Sequence, residues 1–336
     1  MADSTPPPAP DRGPIRLAAV GLVAVAAAAL ALWQLSRQRT PLAVAITNWP
    51  GYEYLYLAEQ KQLGRPYGLD LTVQQFSSLL DQRQAFERGD VPLMATTLPE
   101  AIAVCQEAPK RCPELILVLD QSLGADRVLA RAPLARPQQL LGRRVGLERA
   151  VLAEYILLRS LGDRPVVLDR AMRLRFDGPV ALVEGLKAGD LDAIVTYHPY
   201  DASLIGDSRI VELFSSRQIP GEIVDVLAVD PVYSRSHRRE LKALVQTWWA
   251  ARDFARRNPG ESNALMAQRQ QLEPAQFEAS QNGLQYPMAS QQRALLAPNG
   301  PLASTLRRMA DLMQSSGRIR ADAPLPVLSR AFLEPS

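Results

Sequence analysis

Residues 86–97, FERGDVPLMATT, have a counterpart one hundred positions later in residues 186–197, LKAGDLDAIVTY. In both stretches a helical pattern ends at a Gly-Asp pair, and a short apolar run with a threonine near its end follows. Glycine is a preferred residue just past the end of a helix, and a short apolar run is typical of a buried strand. Each stretch therefore predicts a helix that leads directly into a buried strand.

The correspondence extends upstream, where residues 71–78 (LTVQQFSS) match residues 172–179 (MRLRFDGP). Each half of the chain has the order strand, helix, strand, helix, strand, which predicts a βαβαβ unit with parallel strands and crossover helices. Residues 118–131 predict a pair of strands that lead into the second unit, and residues 222–230 predict a strand that returns. We expect an α/β protein with two lobes, a hinge and a cleft between the lobes.

The predicted lobes are discontinuous in the sequence. Lobe 1 takes residues 42–128 and 228–336, and lobe 2 takes residues 129–227. Before them we expect a polar, proline-rich tail (1–16), an apolar membrane segment (17–35) and a linker (36–41).

The apolar segment has no charged side chain between Leu17 and Trp33. As a helix this stretch would reach about 26 Å, close to the roughly 30 Å of a hydrocarbon core, which favours a retained transmembrane anchor. The small-x-small sequence Ala29-Leu30-Ala31 also fits a cleaved export signal. We expect the body in the periplasm, anchored to the inner membrane if the segment is retained and secreted if it is cleaved.

The composition argues against several functions. A net charge of +3 over 336 residues, without a face of basic and aromatic residues, argues against a nucleic-acid partner. The sequence has no phosphate-binding loop, no G-x-S-x-G, no H-E-x-x-H and no dinucleotide-binding glycine motif. We therefore predict a binding protein that has no catalytic residues and no cofactor.

Cys105 and Cys112 are separated by six residues. Outside the cytoplasm such a pair can close a small disulfide loop, and the alternative is two free thiols. A metal site is disfavoured, because zinc takes three or four nitrogen or sulfur ligands and the two histidines, His198 and His237, are distant in sequence.

The ligand of an open α/β sheet lies beyond the carboxyl ends of its strands. The loops at these ends contain the candidate ligand-binding residues, which are Trp49, Gly51, Tyr52, Ser77, Ser78, Thr96, Thr97, Gly124, Ala125, Asp126, Glu148, Arg149, Asp177, Thr196, Tyr197, His198 and Asp225. Several of these loops also begin a helix, where free backbone N–H groups favour an anion. We expect a small polar anion as the ligand; the alternative for Ser78 and Thr97 is that each only caps its helix.

Trp49 and Tyr52 lie on the turn N-W-P-G-Y that follows the first predicted strand. Because the tip of a turn faces solvent, we expect these rings to form a wall of the ligand site and not part of the core. Gly51 would let the backbone approach the ligand closely. On this interpretation, Trp49→Ala weakens binding and barely changes stability.

Six blocks of the sequence, taken in order, resemble the substrate-binding proteins of ABC importers of the nitrate, sulfonate and taurine type, which are related to binders of thiamine-pyrimidine precursors. The blocks are NWPGYEYLYLA (48–58), ATTLPEAI (95–102), VLDQSLGADRVLAR (118–131), GRRVGLERAVLAEYIL (142–157), LKAGDLDAIVTYHPY (186–200) and IPGEIVDVLAV (219–229). The resemblance extends from residue 42 to residue 317. It implies a type II periplasmic-binding-protein fold that closes on a small solute and docks to an ABC permease with its ATPase.

The resemblance also implies ligand contacts from Trp49, Tyr52, Thr96, Thr97, Gly124, Ala125, Asp126, Thr196 and Tyr197. His198 stands where many relatives have an acidic residue, so the charge of the ligand cannot be taken from the family. The predicted function is solute capture for import, with a sulfonate-like, nitrate-like or taurine-like ligand. The alternatives are a tethered ligand sensor without transport and a pyrimidine-precursor-type enzyme on the same fold.

Overall fold

The computed structural model describes residues 39–162 and 165–333. The predicted tail, the predicted membrane segment and most of the linker lie outside the described residues. Within the described ranges, no helix is both long and apolar enough to cross a membrane.

The described chain alternates strands with helices through its first two thirds and is mainly helical thereafter. The strands are β1 (Thr40–Ile46), β2 (Leu69–Gln75), β3 (Leu93–Thr97), β4 (Glu114–Ser122), β5 (Asp126–Arg131), β6 (Arg144–Leu147), β7 (Arg173–Phe176), β8 (Ala193–Tyr197), β9 (Ile210–Ser215), β10 (Val224–Val229), β11 (Leu284–Gln285) and β12 (Val327–Leu328). The α-helices are α1 (Glu53–Gln60), α2 (Leu79–Arg88), α3 (Leu98–Glu107), α4 (Val151–Ser160), α5 (Leu168–Ala171), α6 (Pro179–Ala188), α7 (Pro231–Ser236), α8 (Arg238–Arg257), α9 (Pro259–Gln270), α10 (Pro274–Gln281), α11 (Ala289–Leu295) and α12 (Pro301–Ser315).

The strands form two sheets with the same internal order. Sheet A has the order β11-β4-β10-β3-β1-β2, with β12 beside β4, and sheet B has the order β7-β6-β8-β5-β9. The strands β1 and β3 are parallel, as are β6, β7 and β8, whereas β10 and β5 run antiparallel to their neighbours. The predicted pair of βαβαβ lobes is therefore confirmed, and each lobe also receives an antiparallel strand from a chain crossing.

The sequence repeat corresponds to equivalent elements of the two lobes. In lobe 1, α2 ends at Gly89, which has φ 84°, and β3 follows. In lobe 2, α6 ends at Gly189, which has φ 86°, and β8 follows. Both glycines adopt the left-handed conformation, which costs little only for a residue without a Cβ. The repeat therefore encodes the same stop of a helix and start of a buried strand in each lobe.

The chain crosses between the sheets twice. It leaves sheet A after Ser122 and enters sheet B at Asp126, and it returns between Ser215 and Val224. The predicted lobe boundaries lie slightly later, after residue 128 and before residue 228. The sequence pattern predicted the pair of strands at this first crossing, but the predicted boundary after residue 128 lies inside β5.

Sheet A is covered by helices from both ends of the chain. Helix α8 packs against α1 and β2, and its Trp248 has no exposed surface. At the far end of α3, a disulfide joins Cys105 to Cys112, with 4.1 Å between the two Cα atoms. The carboxyl ends of the parallel strands are left to face the other lobe.

Candidate functional site

A cavity of about 310 Å³ lies between the two lobes, at the carboxyl ends of their parallel strands. Its lining comes from loops that follow β1, β2, β3, β6, β7 and β8, together with residues of the two crossing strands. The lining residues are Thr47, Asn48, Trp49, Tyr52, Ser77, Ser78, Leu79, Leu80, Thr97, Asp126, Glu148, Arg149, Ala150, Leu152, Phe176, Asp177, Gly178, Pro179, Tyr197, Tyr200 and Asp225.

Most of the predicted site residues line this cavity. They are Trp49, Tyr52, Ser77, Ser78, Thr97, Asp126, Glu148, Arg149, Asp177, Tyr197 and Asp225. The structure places the remaining candidates elsewhere: Gly51, Thr96, Gly124, Ala125, Thr196 and His198.

The two threonines that coincide in the sequence repeat, Thr96 and Thr196, do not face the cavity. Both are buried, with 0% and 2% of their surface exposed. Successive side chains of a strand point to opposite sides, so the cavity receives the next residue in each lobe, Thr97 or Tyr197. Thr97 is the register partner of Asp225 in sheet A, and Tyr197 is the register partner of Asp126 in sheet B. Each lobe thus presents one strand-end side chain beside one aspartate.

The rings of Trp49 and Tyr52 are buried, with 8% and 1% of their surface exposed. The Trp49 Nε1–H donates to Asp120 Oδ1 at 3.2 Å, and the ring meets Tyr197 of lobe 2 edge-on at 5.7 Å between centroids. The expectation that these rings lie outside the core is wrong, because side chains of sheet A contact both rings and Tyr197 of lobe 2 also contacts Trp49. Removal of the Trp49 ring would therefore cost stability as well as cavity surface.

Gly51 approaches a carboxylate of the protein and does not line the cavity. A Cβ atom at this position would lie 2.0 Å from Asp120 Oδ2. Gly51 is therefore needed for a close approach of the backbone. The prediction named the ligand as the group that is approached, whereas the structure places the Asp120 carboxylate there.

His198 belongs to an ion network beside the cavity. Its Nδ1 lies 2.5 Å from Asp201 Oδ1, and Arg127 Nη1 lies 3.3 Å from Asp201 Oδ2. Gly124 and Ala125 form the buried turn between β4 and β5. Sequence position at a strand end did not distinguish these supporting residues from those that face the cavity.

A pair of aspartates lies at the base of the cavity. Asp120 and Asp225 are register partners on the antiparallel strands β4 and β10, and the Tyr52 hydroxyl donates to Asp225 Oδ1. Burial raises the pKa of Asp120 to about 7. Burial and the charge of Asp120 raise the pKa of Asp225 well above its ordinary value.

Two further carboxylates face the cavity from lobe 2. Burial raises the pKa of Asp126 to about 6, although a hydrogen bond from Ser122 acts in the opposite direction and lowers it. Burial also raises the pKa of Glu148 to about 7, although Tyr197 donates a hydrogen bond to it. Asp126 Oδ2 is buried and has no hydrogen-bond partner among the described residues. The cavity therefore has an acidic interior whose charge the protein compensates only in part.

The helix starts around the cavity differ in their availability to an anion. Val151 N–H and Leu152 N–H, at the start of α4, donate to Glu100 Oε1 at 2.6 and 3.3 Å. Ser78 caps α2 by accepting from Asp81 N–H at 3.0 Å. Thr97 begins α3 without a side-chain cap, and its hydroxyl is buried without a partner in the described chain. A carboxylate of lobe 1 thus occupies a helix start of lobe 2 that was expected to hold the ligand.

Sequence reasoning missed two aromatic residues that shape the cavity. Tyr200 accepts a hydrogen bond on its hydroxyl from Asn48 Nδ2 at 3.2 Å, and this contact joins the two lobes. Phe176 carries the Arg149 guanidinium 4.4 Å above its ring. Phe176 lies one hundred residues after Phe76, which is the offset of the Gly-Asp repeat, and this coincidence was the available signal. Among residues 39–162 and 165–333, no group of three or more His, Cys, Asp or Glu side chains is arranged to hold a metal ion.

The fold is shared with solute-binding proteins of known structure. The alkanesulfonate-binding protein SsuA of Xanthomonas axonopodis pv. citri, bound to MOPS, has a TM-score of 0.66 at 18% identity, over 87% of this chain and 96% of that protein. The periplasmic aliphatic sulphonate binding protein SsuA of Escherichia coli has a TM-score of 0.65 at 15% identity, over 88% of this chain and 92% of that protein. These likenesses confirm the periplasmic-binding-protein fold class that the sequence predicted.

Sequence comparison agrees with the fold. Proteins of Brucella abortus (strain 2308) and Brucella suis biovar 1 (strain 1330), both named as binding proteins, are each 22% identical to this chain over 291 residues, which is 82% of this chain and 85% of either relative. The model of the NMT1-like family matches residues 36–269. Because this match spans more than half of the sequence and agrees with the resemblance seen in its motifs, the chain belongs to the NMT1-like family.

Proposed function

We propose that this protein is the extracytoplasmic solute receptor of an ABC importer. The observation that supports this function best is the matched lining of the interlobe cavity. Sheet A contributes Thr97 with Asp225, and sheet B contributes Tyr197 with Asp126. A solute held between such pairs contacts both lobes at once, which is how a ligand stabilises a closed hinge.

Contacts across the cavity define the closed arrangement. Asn48 bonds to Tyr200, Trp49 meets Tyr197, and Glu100 caps α4 of the opposite lobe. These contacts must separate when a solute enters or leaves. The two crossings between the sheets are the only direct chain connections between the lobes within residues 39–162 and 165–333, so we place the hinge there.

The remaining parts of the proposal concern location and partners. Family membership and the names of the structural neighbours support a periplasmic body that delivers its solute to a membrane permease and its ATPase. A retained segment 17–35 would hold the receptor beside that permease. A tethered sensor would use the same cavity and hinge and would differ in its membrane partner.

Calorimetry and small-angle X-ray scattering test the binding step. We expect a member of a panel of sulfonates, nitrate, bicarbonate, pyrimidine precursors and small amines to bind with one site per chain and to reduce the radius of gyration. Tyr197→Ala should abolish both effects, whereas Tyr67→Ala, an exposed tyrosine outside this cavity, should leave them unchanged. Absence of binding across the panel contradicts the proposal, and binding without compaction contradicts the hinge.

Uptake measurements test the transport step. Cells that lack the gene should lose import of the solute identified by calorimetry, and the wild-type gene should restore it. Normal uptake in the deleted strain, with the binding results intact, would favour the sensor.

A further inference from the structure

The charged groups that line the cavity are mostly acidic. Asp126, Glu148, Asp177 and Asp225 face Arg149 as the single basic side chain among the lining residues. Asp177 pairs with Arg175 at 2.8 Å near the surface, and Arg149 stacks on Phe176. The carboxylates deeper in the cavity are therefore Asp126, Glu148 and Asp225.

These deeper carboxylates have no cationic partner from the protein. Within the described residues, no Lys or Arg nitrogen forms an ion pair with Asp126, Glu148, Asp225 or the adjacent Asp120. The deeper carboxylates accept hydrogen bonds from the neutral hydroxyl groups of Tyr52, Tyr197 and Ser122, which replace the lost water only in part and bring no positive charge. The cavity interior therefore favours protons or a ligand that brings positive charge.

Two unpartnered polar atoms point to a ligand independently of the acidic cluster. Asp126 Oδ2 and Thr97 Oγ1 are buried without a hydrogen bond to any described residue. Their residues line the cavity and have 1% and 3% of their surface exposed. Buried polar atoms in folded proteins are nearly always hydrogen-bonded. A ligand with N–H groups could donate hydrogen bonds to both atoms, Thr97 Oγ1 in lobe 1 and Asp126 Oδ2 in lobe 2.

The rest of the cavity lining is aromatic and suits the apolar part of a positively charged ligand. The rings of Trp49, Tyr52, Phe176, Tyr197 and Tyr200 border the cavity. Aromatic faces attract organic cations as well as apolar groups. An anion would meet carboxylates and would find the start of α4 occupied by Glu100.

We propose that the solute is a small organic cation, whose protonated nitrogen donates to Asp126 and Glu148 while its apolar part packs against the aromatic rings. This inference rests on the proposed solute-receptor function and replaces the anionic solute that the helix starts suggested.

Calorimetry with a matched set of solutes tests the charge. The probes are 2-phenylethylamine, 2-phenylethanol and 2-phenylethanesulfonate, with the butyl series as a second skeleton. We expect the ammonium member to bind at least about tenfold more tightly than the alcohol, and the sulfonate to bind most weakly.

The outcomes separate the two proposals. If sulfonates bind more tightly than the amines and compact the protein, the charge inference is wrong and the receptor function stands. If alcohols bind as well as amines, the charge inference is also wrong. If neither these probes nor the wider panel binds, both proposals fail.

Isosteric variants identify the groups responsible. Asp126→Asn and Glu148→Gln should each reduce the affinity for the phenylethylammonium ion by about tenfold or more, while binding of the alcohol persists and reports a folded cavity. Glu184→Gln is the matched control, because Glu184 is an exposed acid on α6 that pairs with Lys187. An unchanged preference for the amine in both cavity variants would overturn the assignment.

Discussion

Two sets of buried carboxylates in this protein are treated differently. Glu53 accepts from Arg269 Nε at 2.9 and 2.8 Å on its two oxygens, and Glu100 accepts from two backbone N–H groups with Arg83 Nε 2.9 Å from its other oxygen. The carboxylates of the cavity have no such cations. The fold thus supplies positive charge to the first set, whereas the second set receives only neutral hydroxyl donors and would need protons or a ligand to balance its charge.

The test with the largest expected effect removes Arg269, the cation that pairs with Glu53 in the first set. Arg269→Ala should lower the free energy of unfolding by about 3–5 kcal/mol, because it leaves the charge of Glu53 buried and unpaired. Urea denaturation measures the change. Arg256→Ala, which removes an exposed arginine that pairs with Asp253 on the same helix, should have no measurable effect. An equal effect of the two substitutions would show that the buried Arg269–Glu53 pair contributes no more to the free energy of unfolding than an exposed pair does.

A second test uses pH to titrate the cavity set. The pKa of Asp126 rises to about 6 and the pKa of Glu148 to about 7 in the folded protein. Protons thus bind the folded state more tightly, so these groups stabilise it fully below their unfolded values and lose that contribution as pH rises through about 6 to 7. From these two groups we expect the ligand-free protein to be about 4 kcal/mol more stable at about pH 5 than at about pH 8.

The double variant Asp126→Asn, Glu148→Gln provides the control for that pH dependence. Asp126 raises the pKa of Glu148 and is substituted together with it, whereas the other groups that act on the two carboxylates remain in this variant: Ser122, Asp201, His198, Tyr197 and Glu100. The decline between about pH 5 and pH 8 should shrink by roughly half, because Asp120, whose pKa burial raises to about 7, still contributes. A decline that persists undiminished in chemical denaturation would assign it to other groups.

A third test, with a smaller expected effect, replaces one carboxyl group of each set by an amide of nearly the same shape. Glu100→Gln should lower the free energy of unfolding by about 1–2 kcal/mol, since it weakens the pairing with Arg83 and the cap of α4. Asp225→Asn should leave it unchanged or raise it by about 1 kcal/mol at about pH 8, since the amide keeps a neutral group opposite Asp120. Thermal and urea denaturation of the two variants compare them directly. Destabilisation by both would contradict the distinction.

The smallest expected effect concerns ligand protection. A phenylethylammonium ion should raise the melting temperature of the wild-type protein and have less effect on Glu148→Gln, because binding to the folded state alone stabilises it. Differential scanning fluorimetry measures both shifts. Equal protection of the two proteins would indicate that Glu148 does not contact the ion.

Much of the architecture could be predicted because its signals are local. The Gly-Asp pairs mark helix ends and the apolar runs that follow mark buried strands, so the repeat predicts two βαβαβ lobes and the loops at their strand ends. The sequence could also have favoured Thr97 over Thr96 as a cavity residue. Thr97 is the last residue of its strand, and side chains alternate between the two faces of a strand, so only one of the two threonines can face the cavity. The burial of Trp49 could not be predicted from its turn, because the residues that contact its ring, Asp120 and Tyr197, are distant in sequence.

The amino-acid sequence by itself determined the two-lobed α/β design, the positions of the strand ends and most of the residues that border the cavity, since helix stops and strand periodicity depend on near neighbours in the chain. Only the tertiary structure decided the charge of the site. It brings Asp225 opposite Asp120, which is distant in sequence, and seats Glu100 on the start of α4. Electrostatic interactions depend on distance and burial in the folded protein, so the sequence could place Asp126, Glu148 and Asp225 at the site but could not give the charges and partners around them.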